Sequence, residues 1–146
     1  MLRAFEENDL TAIMQIWLDT NIRAHSFISK EYWIGNYEMV KNVLPQAEIY
    51  VYEDDTTKRI DGFIGLSGNH VEGLFVREGA QSHGIGKQLL EYAKRGRTAM
   101  SLCVYQKNAR AVRFYKREQF MIQSENTDDD TSQKEYCMVW GKVTHS

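Results

Sequence analysis

Seven residues, Gln81-Ser82-His83-Gly84-Ile85-Gly86-Lys87, hold the densest chemistry in the chain. An alternating apolar run, His70 to Val76, leads into this glycine loop, and a stretch with Ile85, Leu89, Leu90 and Ala93 on one helical face leads out. A turn from strand to helix leaves backbone N–H groups unpaired and aims them, with the positive end of the helix, at one point in space. Such a junction can hold phosphate. Spacing excludes two familiar kinds of phosphate loop. The triphosphate loop that Gly86-Lys87 invites needs glycine at position 81 and Ser or Thr at position 88, where the chain has Gln81 and Gln88. The dinucleotide fingerprint needs a third glycine where Leu89 stands. A Gln-x-x-Gly-x-Gly core remains, to be weighed against a plain strand-to-helix turn whose glycines only supply unusual backbone angles.

The elements that must position this loop follow from periodicity. Residues 1–5 form a short first strand. Asn8 is expected to cap a helix whose apolar positions Leu10, Ile13, Met14, Trp17 and Leu18 recur at helical spacing. A polar link through His25-Ser26-Phe27-Ile28 leads to a second helix, about 30–44, ending near Pro45. Strands are expected at 48–52 and 60–66, joined by a hairpin loop, and at 70–76. After the loop and its helix comes a buried strand at 99–105, apolar almost throughout, then a helix at 108–116. Closing strands at 120–124 and 135–140 flank a polar segment. The Asp128-Asp129-Asp130 run in that segment reads as a mobile, solvated tip. The order β-α-α-β-β-β-α-β-α-β-β implies an α/β (α+β) fold in one domain, 1–146. It builds a mixed sheet with helices on both faces, and the strand-helix-strand unit around Gly84 pairs its strands in parallel.

The Gln-x-x-Gly-x-Gly core resembles the pyrophosphate loop of the GNAT superfamily, the Gcn5-related N-acetyltransferases. A second segment, Tyr105 to Lys116 followed by Phe120, resembles that family's other coenzyme-contacting stretch, in which an Asn opens a helix that ends in an aromatic-Tyr pair. Motif-level similarity spans about 74–120; in element order it covers essentially the whole chain. Within the family the chain is similar to small, single-domain bacterial enzymes of the peptidyl-lysine type and to uncharacterised relatives. One departure is Gln119-Phe120, where the family has Gly-Phe. The resemblance implies a mostly antiparallel central sheet of about seven strands that splays open to admit acetyl-CoA.

It also implies roles. Backbone groups of Leu74, Phe75 and Val76 would hydrogen-bond the pantetheine arm, and the loop Gln81, Ser82, His83, Gly84, Ile85, Gly86 and Lys87 would receive the pyrophosphate. Lys87 and His83 could add charge, though a lysine in a first helical turn can equally face water. Asn108 can cap its helix and also reach the pantetheine. Tyr115, whose phenol has a reference pKa (~10) near that of an alkyl thiol (~8.5), would protonate the departing thiolate; taken alone, a tyrosine on such an apolar helix face is usually core packing. A base must neutralise the amine, and two residues offer it. His70 and Glu72, two apart, are expected on one strand face, with a reference pKa of ~6.5 favouring His70. Acceptor contacts are sought at His25, Phe27, Tyr32, Trp33 and the aspartate run, where acidic groups would favour a cationic amine.

The implied activity is direct acetyl transfer to an amine, either a small molecule, an N-terminus or a protein lysine. A non-catalytic acyl-CoA sensor of the same fold is the alternative. Composition excludes other classes. A net charge of -2 over 146 residues argues against binding nucleic acid by neutralising its backbone. No apolar run approaches the ~20 residues that span a bilayer, and the N-terminus lacks a signal-peptide pattern. Cys103 and Cys137 show no metal-site spacing and no neighbouring histidine, so no metal is expected, and two lone thiols point to a reducing cytoplasm. A monomer or a homodimer is expected.

Overall fold

A computed structural model describes residues 1–141. In chain order the elements are β1 (Leu2–Ala4), α1 (Leu10–Ala24), α2 (Lys30–Val43), β2 (Glu48–Glu53), β3 (Ile60–Ser67), β4 (His70–Val76), α3 (Ile85–Lys94), β5 (Ala99–Tyr105), α4 (Ala109–Arg117), β6 (Met121–Thr127) and β7 (Lys134–Gly141). The seven strands form one sheet in the order β1-β2-β3-β4-β5-β7-β6. Its neighbours are antiparallel except β4 and β5, which flank α3 in sequence and run parallel. The expected element order and mixed sheet are therefore found.

Each sheet face buries its own cluster. On one, Ile13, Met14 and Trp17 of α1 and Trp33 of α2 pack over Ile49, Val51 and Phe63. On the other, Ile85, Leu89, Leu90 and Ala93 of α3 join Val112 and Tyr115 of α4 over Ile64, Leu66, Leu102 and Met138. β3 is buried on both sides from Ile60 to Leu66, so it reads as a continuous apolar run. Cutting a fully buried leucine such as Leu89 to alanine costs about 2–5 kcal/mol here.

Three local expectations change. Asn8 does not cap α1; it lies inside a 3-10 turn (Glu7–Asp9) that leads into the helix. Asp9 stands at the N-cap of α1, and its carboxylate turns back to take the Glu6 N–H at 2.8 Å while the Arg3 fork grips it at 2.8 and 2.9 Å. A buried carboxylate held by arginine is a stronger acceptor than an exposed amide. β6 starts at Met121, not Phe120, and runs three residues into the segment expected to be a loop. All seven of its residues are exposed at the sheet edge, so no apolar periodicity marked it. The third change concerns Asp128. Tyr105 and Thr131 both donate hydroxyl hydrogen bonds to it, so the aspartate run is anchored at one end while Asp129 and Asp130 stay exposed.

β4 carries the feature that shapes the centre. Gly65 pairs with Gly73 and Leu66 with Val71, leaving Glu72 as an extra residue in a β-bulge. Val71 and Leu74, three apart, consequently face the same cluster. Strict alternation ends at the bulge, past Glu72; His70 meets Ser101, and Glu72 lies by Cys103 two residues further along β5.

Candidate active site

β4 and β5 pair at one position, His70 opposite Ser101. Ser101 N–H donates to Asn69 O at 3.0 Å, and its hydroxyl lies 2.9 Å from His70 Nδ1, so backbone and side chains close this end together. Past it the bulged β4 bends away, and a cleft of about 770 Å³ opens between the two strands. Glu72 to Val76 form one wall, Cys103 to Tyr105 the other, and the glycine loop and α4 one end. Among the described residues, no strand lies beside the edge of β4 that faces this gap from Leu74 to Val76.

At the loop end, chain geometry and charge converge. Gly84 takes φ +79° and Gly79 φ +77°, angles that glycine adopts without cost. The first helical bond of α3 is Gln88 N–H to Gly84 O at 3.0 Å, leaving the N–H groups of Ile85, Gly86 and Lys87 without a helical acceptor. Gly86 sits beside Phe114 and Val76, each within 4 Å of where a Cβ would stand, so a side chain there would fill the cradle. Gln81 Nε2 donates to Val76 O at 2.9 Å. Arg110 of α4 donates to Gln81 Oε1 at 2.8 Å and to Ser82 Oγ at 3.1 Å. Arg110 was missed in the sequence; its only signal was a position two residues past Asn108.

Other expected loop residues are placed less centrally. His83 is exposed and does not line the cleft. Lys87 lines it but pairs with Glu91 at 3.3 Å and Glu118 at 3.4 Å, and these carboxylates raise its pKa. Its ammonium thus serves the helix surface as well as the loop.

Tyr115 is nearly buried yet lines the cleft, between the rings of Phe114 (5.3 Å) and Phe120 (5.7 Å). Burial raises its pKa, so the phenol keeps its proton. Its hydroxyl makes no hydrogen bond among the described residues. Asn108 Oδ1 accepts the Ala111 N–H at 3.3 Å, capping α4. The end of α4 is a Schellman turn: Phe120 N–H reaches Tyr115 O at 2.9 Å and Gln119 N–H reaches Lys116 O at 3.1 Å. Gln119 holds φ +75° there, so the turn survives without the family's glycine.

At the opposite end the residues are aromatic and acidic. His25 stacks on Trp33 (5.4 Å) and meets Phe27 and Tyr105 edge-on. Burial pushes its pKa down to about 4, so the ring is neutral. Tyr32 packs on Trp33 and contacts Asp130. Glu72 and Glu135 line the cleft without a cationic partner within 4 Å among the described residues. Burial raises the pKa of Glu135, helped by nearby Asp128. His70, tied to Ser101 at the closed end, is outside the cleft lining. The cleft is basic toward Arg110 and Lys87 and acidic toward Glu72 and Glu135.

Known proteins share this fold. The chain is 32% identical over 145 residues to the peptidyl-lysine N-acetyltransferase YiaC of Escherichia coli K12, covering 98% of both. It is 31% identical to the peptidyl-lysine N-acetyltransferase YjaB of Salmonella typhimurium, over 81% of each chain. The solution structure of apo YjaB from Escherichia coli superposes with a TM-score of 0.85 at 25% identity, over 96% of both chains. The structure of yncA from Salmonella typhimurium with acetyl-CoA shares the fold at 17% identity, with a TM-score of 0.66 over 100% of this chain and 95% of that one. A family model of the acetyltransferase (GNAT) domain matches residues 45–122, more than half of the sequence. The chain belongs to the GNAT family and is an N-acetyltransferase, an acyltransferase that moves an acetyl group to an amine.

Proposed function

We propose that this enzyme acetylates the side-chain amine of lysine in proteins or peptides, drawing the acetyl group from acetyl-CoA bound across the cleft. The charge division of the cleft carries the reading: phosphate would meet free N–H groups and Arg110, while a cationic amine would meet Glu72 and Glu135. The names of YiaC and YjaB, both peptidyl-lysine N-acetyltransferases, support this choice of acceptor.

The residues present fit the coenzyme. The unpaired edge from Leu74 to Val76 offers donors and acceptors to an amide-bearing arm, as an added strand does. The N–H groups of Ile85, Gly86 and Lys87 and the guanidinium of Arg110 would hold the pyrophosphate. Bound there, acetyl-CoA supplies an activated thioester. Tyr115, protonated and without a competing partner, donates to the sulfur that leaves. Glu72 takes the proton from the amine, directly or through water, because it lines the cleft while His70 bonds Ser101. Neutralising a lysine at pH near 7.4 costs about 4 kcal/mol, so a carboxylate beside it speeds an otherwise scarce species.

The test is a mass-spectrometric comparison of lysine peptides, peptides with blocked lysines, free N-termini and polyamines as acceptors. Acetylation confined to lysine side chains is expected. Acetyl-CoA binding with no transfer to any amine would sink the reading in favour of a sensor.

A further inference from the structure

Two cysteines 34 residues apart in sequence meet beside the cleft. β5 and β7 are antiparallel and put Cys103 directly opposite Cys137, with Sγ atoms 2.6 Å apart. Glu135 lies two residues before Cys137, hence on the same face of β7. The two sulfurs and a Glu135 carboxylate oxygen all fall within 4.8 Å of one another. We propose that Cys103, Cys137 and Glu135 form a binding site for a thiophilic divalent cation of the zinc class, with its fourth position open to the cleft.

The donor set suits that ion. Two thiolates and one carboxylate are what a four-coordinate zinc-type centre takes when it keeps one position for water. Tetrahedral bonds of about 2.3 Å would put the sulfurs about 3.8 Å apart, so the side chains must part by about 1 Å. They have room, because Cys103 is exposed and Cys137 only half-buried. An outer partner is already present: Asn126 Nδ2 donates to Cys137 Sγ at 3.0 Å, the kind of contact that orients a metal-bound thiolate. Access is open too, since Cys103 and Glu135 both line the cleft.

The local charge is arranged for a cation that side chains do not supply. Glu135 has no basic partner within 4 Å among the described residues, and Glu72 across the cleft adds negative potential. Partial desolvation of its sulfur and then the neighbouring Cys137 push the Cys103 thiol up to about 12. A bound dication reverses this bias, because a coordinating thiol is deprotonated outright. Binding exchanges one proton from each thiol for one metal–sulfur bond, and no electrons move.

The experiment titrates the full chain, under a non-thiol reductant, with Cd²⁺ and Zn²⁺. It reads the thiolate-to-cadmium absorption band and the protons released. One ion per chain with a proton from each thiol is expected. Affinity should fall in Cys137→Ser and Cys103→Ser by more than the roughly 10–100-fold of an outer partner, and in Asn126→Ala within that range. Unchanged melting of the metal-free variants shows that the fold is intact. No thiolate band, equal affinity in Cys137→Ser, or closure of the pair to a disulfide under reductant would each overturn the site. None of these readouts depends on acetyl transfer, so the acceptor assignment stands or falls separately.

Discussion

Asn108 Nδ2 lies 3.3 Å from His25 Nε2, joining the start of α4 to the end of α1 across 83 residues of sequence. Both residues line the cleft, so this contact ties the half that would hold the coenzyme to the half facing the acceptor. With the amide donating to Nε2, the ring proton sits on Nδ1.

The His25 pKa of about 4, against 6.5 in the unfolded chain, has a defined sign. Between these values the unfolded state binds the extra proton and the folded state does not, so stability falls as pH drops through that window. From pH 7 to pH 5 the loss due to His25 is about 2 kcal/mol. Urea unfolding at both pH values should show that His25→Gln removes most of this pH dependence. An identical slope in the variant would mean that the ring is protonated in the fold.

Tyr115→Phe should lower kcat by roughly 10²–10⁴-fold, the usual weight of a positioned proton donor. Acetyl-CoA affinity should stay within about twofold, because among the described residues the hydroxyl makes no hydrogen bond whose loss would disturb the site. Calorimetric titration beside steady-state kinetics separates the two. Equal kcat would leave Tyr115 as packing only.

Arg110→Ala should raise the KM for acetyl-CoA about 10–100-fold, in line with a charge-assisted contact of about 1.5–3 kcal/mol, and leave kcat nearly unchanged. Arg110→Lys should recover part of this, since a lysine cannot bridge Gln81 and Ser82 as the two-nitrogen fork does. Unaltered KM values at low salt would remove Arg110 from phosphate recognition.

Gln119→Gly should stabilise the protein by about 0.5–1 kcal/mol. A side chain at φ +75° costs roughly 1–2 kcal/mol, and the greater freedom of glycine in the unfolded chain returns part of that gain. Thermal melting checks it; a lower Tm would show that the Gln119 side chain is worth more than the strain.

Much of the fold was legible because burial imposes period. The alternation of His70 to Val76 and the apolar run of Ala99 to Tyr105 predicted β4 and β5 residue for residue. β6 was half missed because an edge strand exposed on both sides has no face to bury, and the Asn8 cap was misread because Arg3 favours Asp9. Both are effects of partners distant in space or of neighbours that compete.

The glycine loop could be read from the chain alone because its chemistry is local. Backbone N–H groups at a helix start need only a few consecutive residues. What faced that loop was decided in three dimensions. An extra residue in the β3–β4 ladder broke the alternation past Glu72, and it bent β4 away from β5 to open the cleft. Packing of α4 brought Arg110 onto Gln81, and strand register brought Cys103 opposite Cys137. Sequence sets what each short segment can do; register, bulge and helix docking decide which distant side chains share one site, because those depend on the whole sheet closing at once.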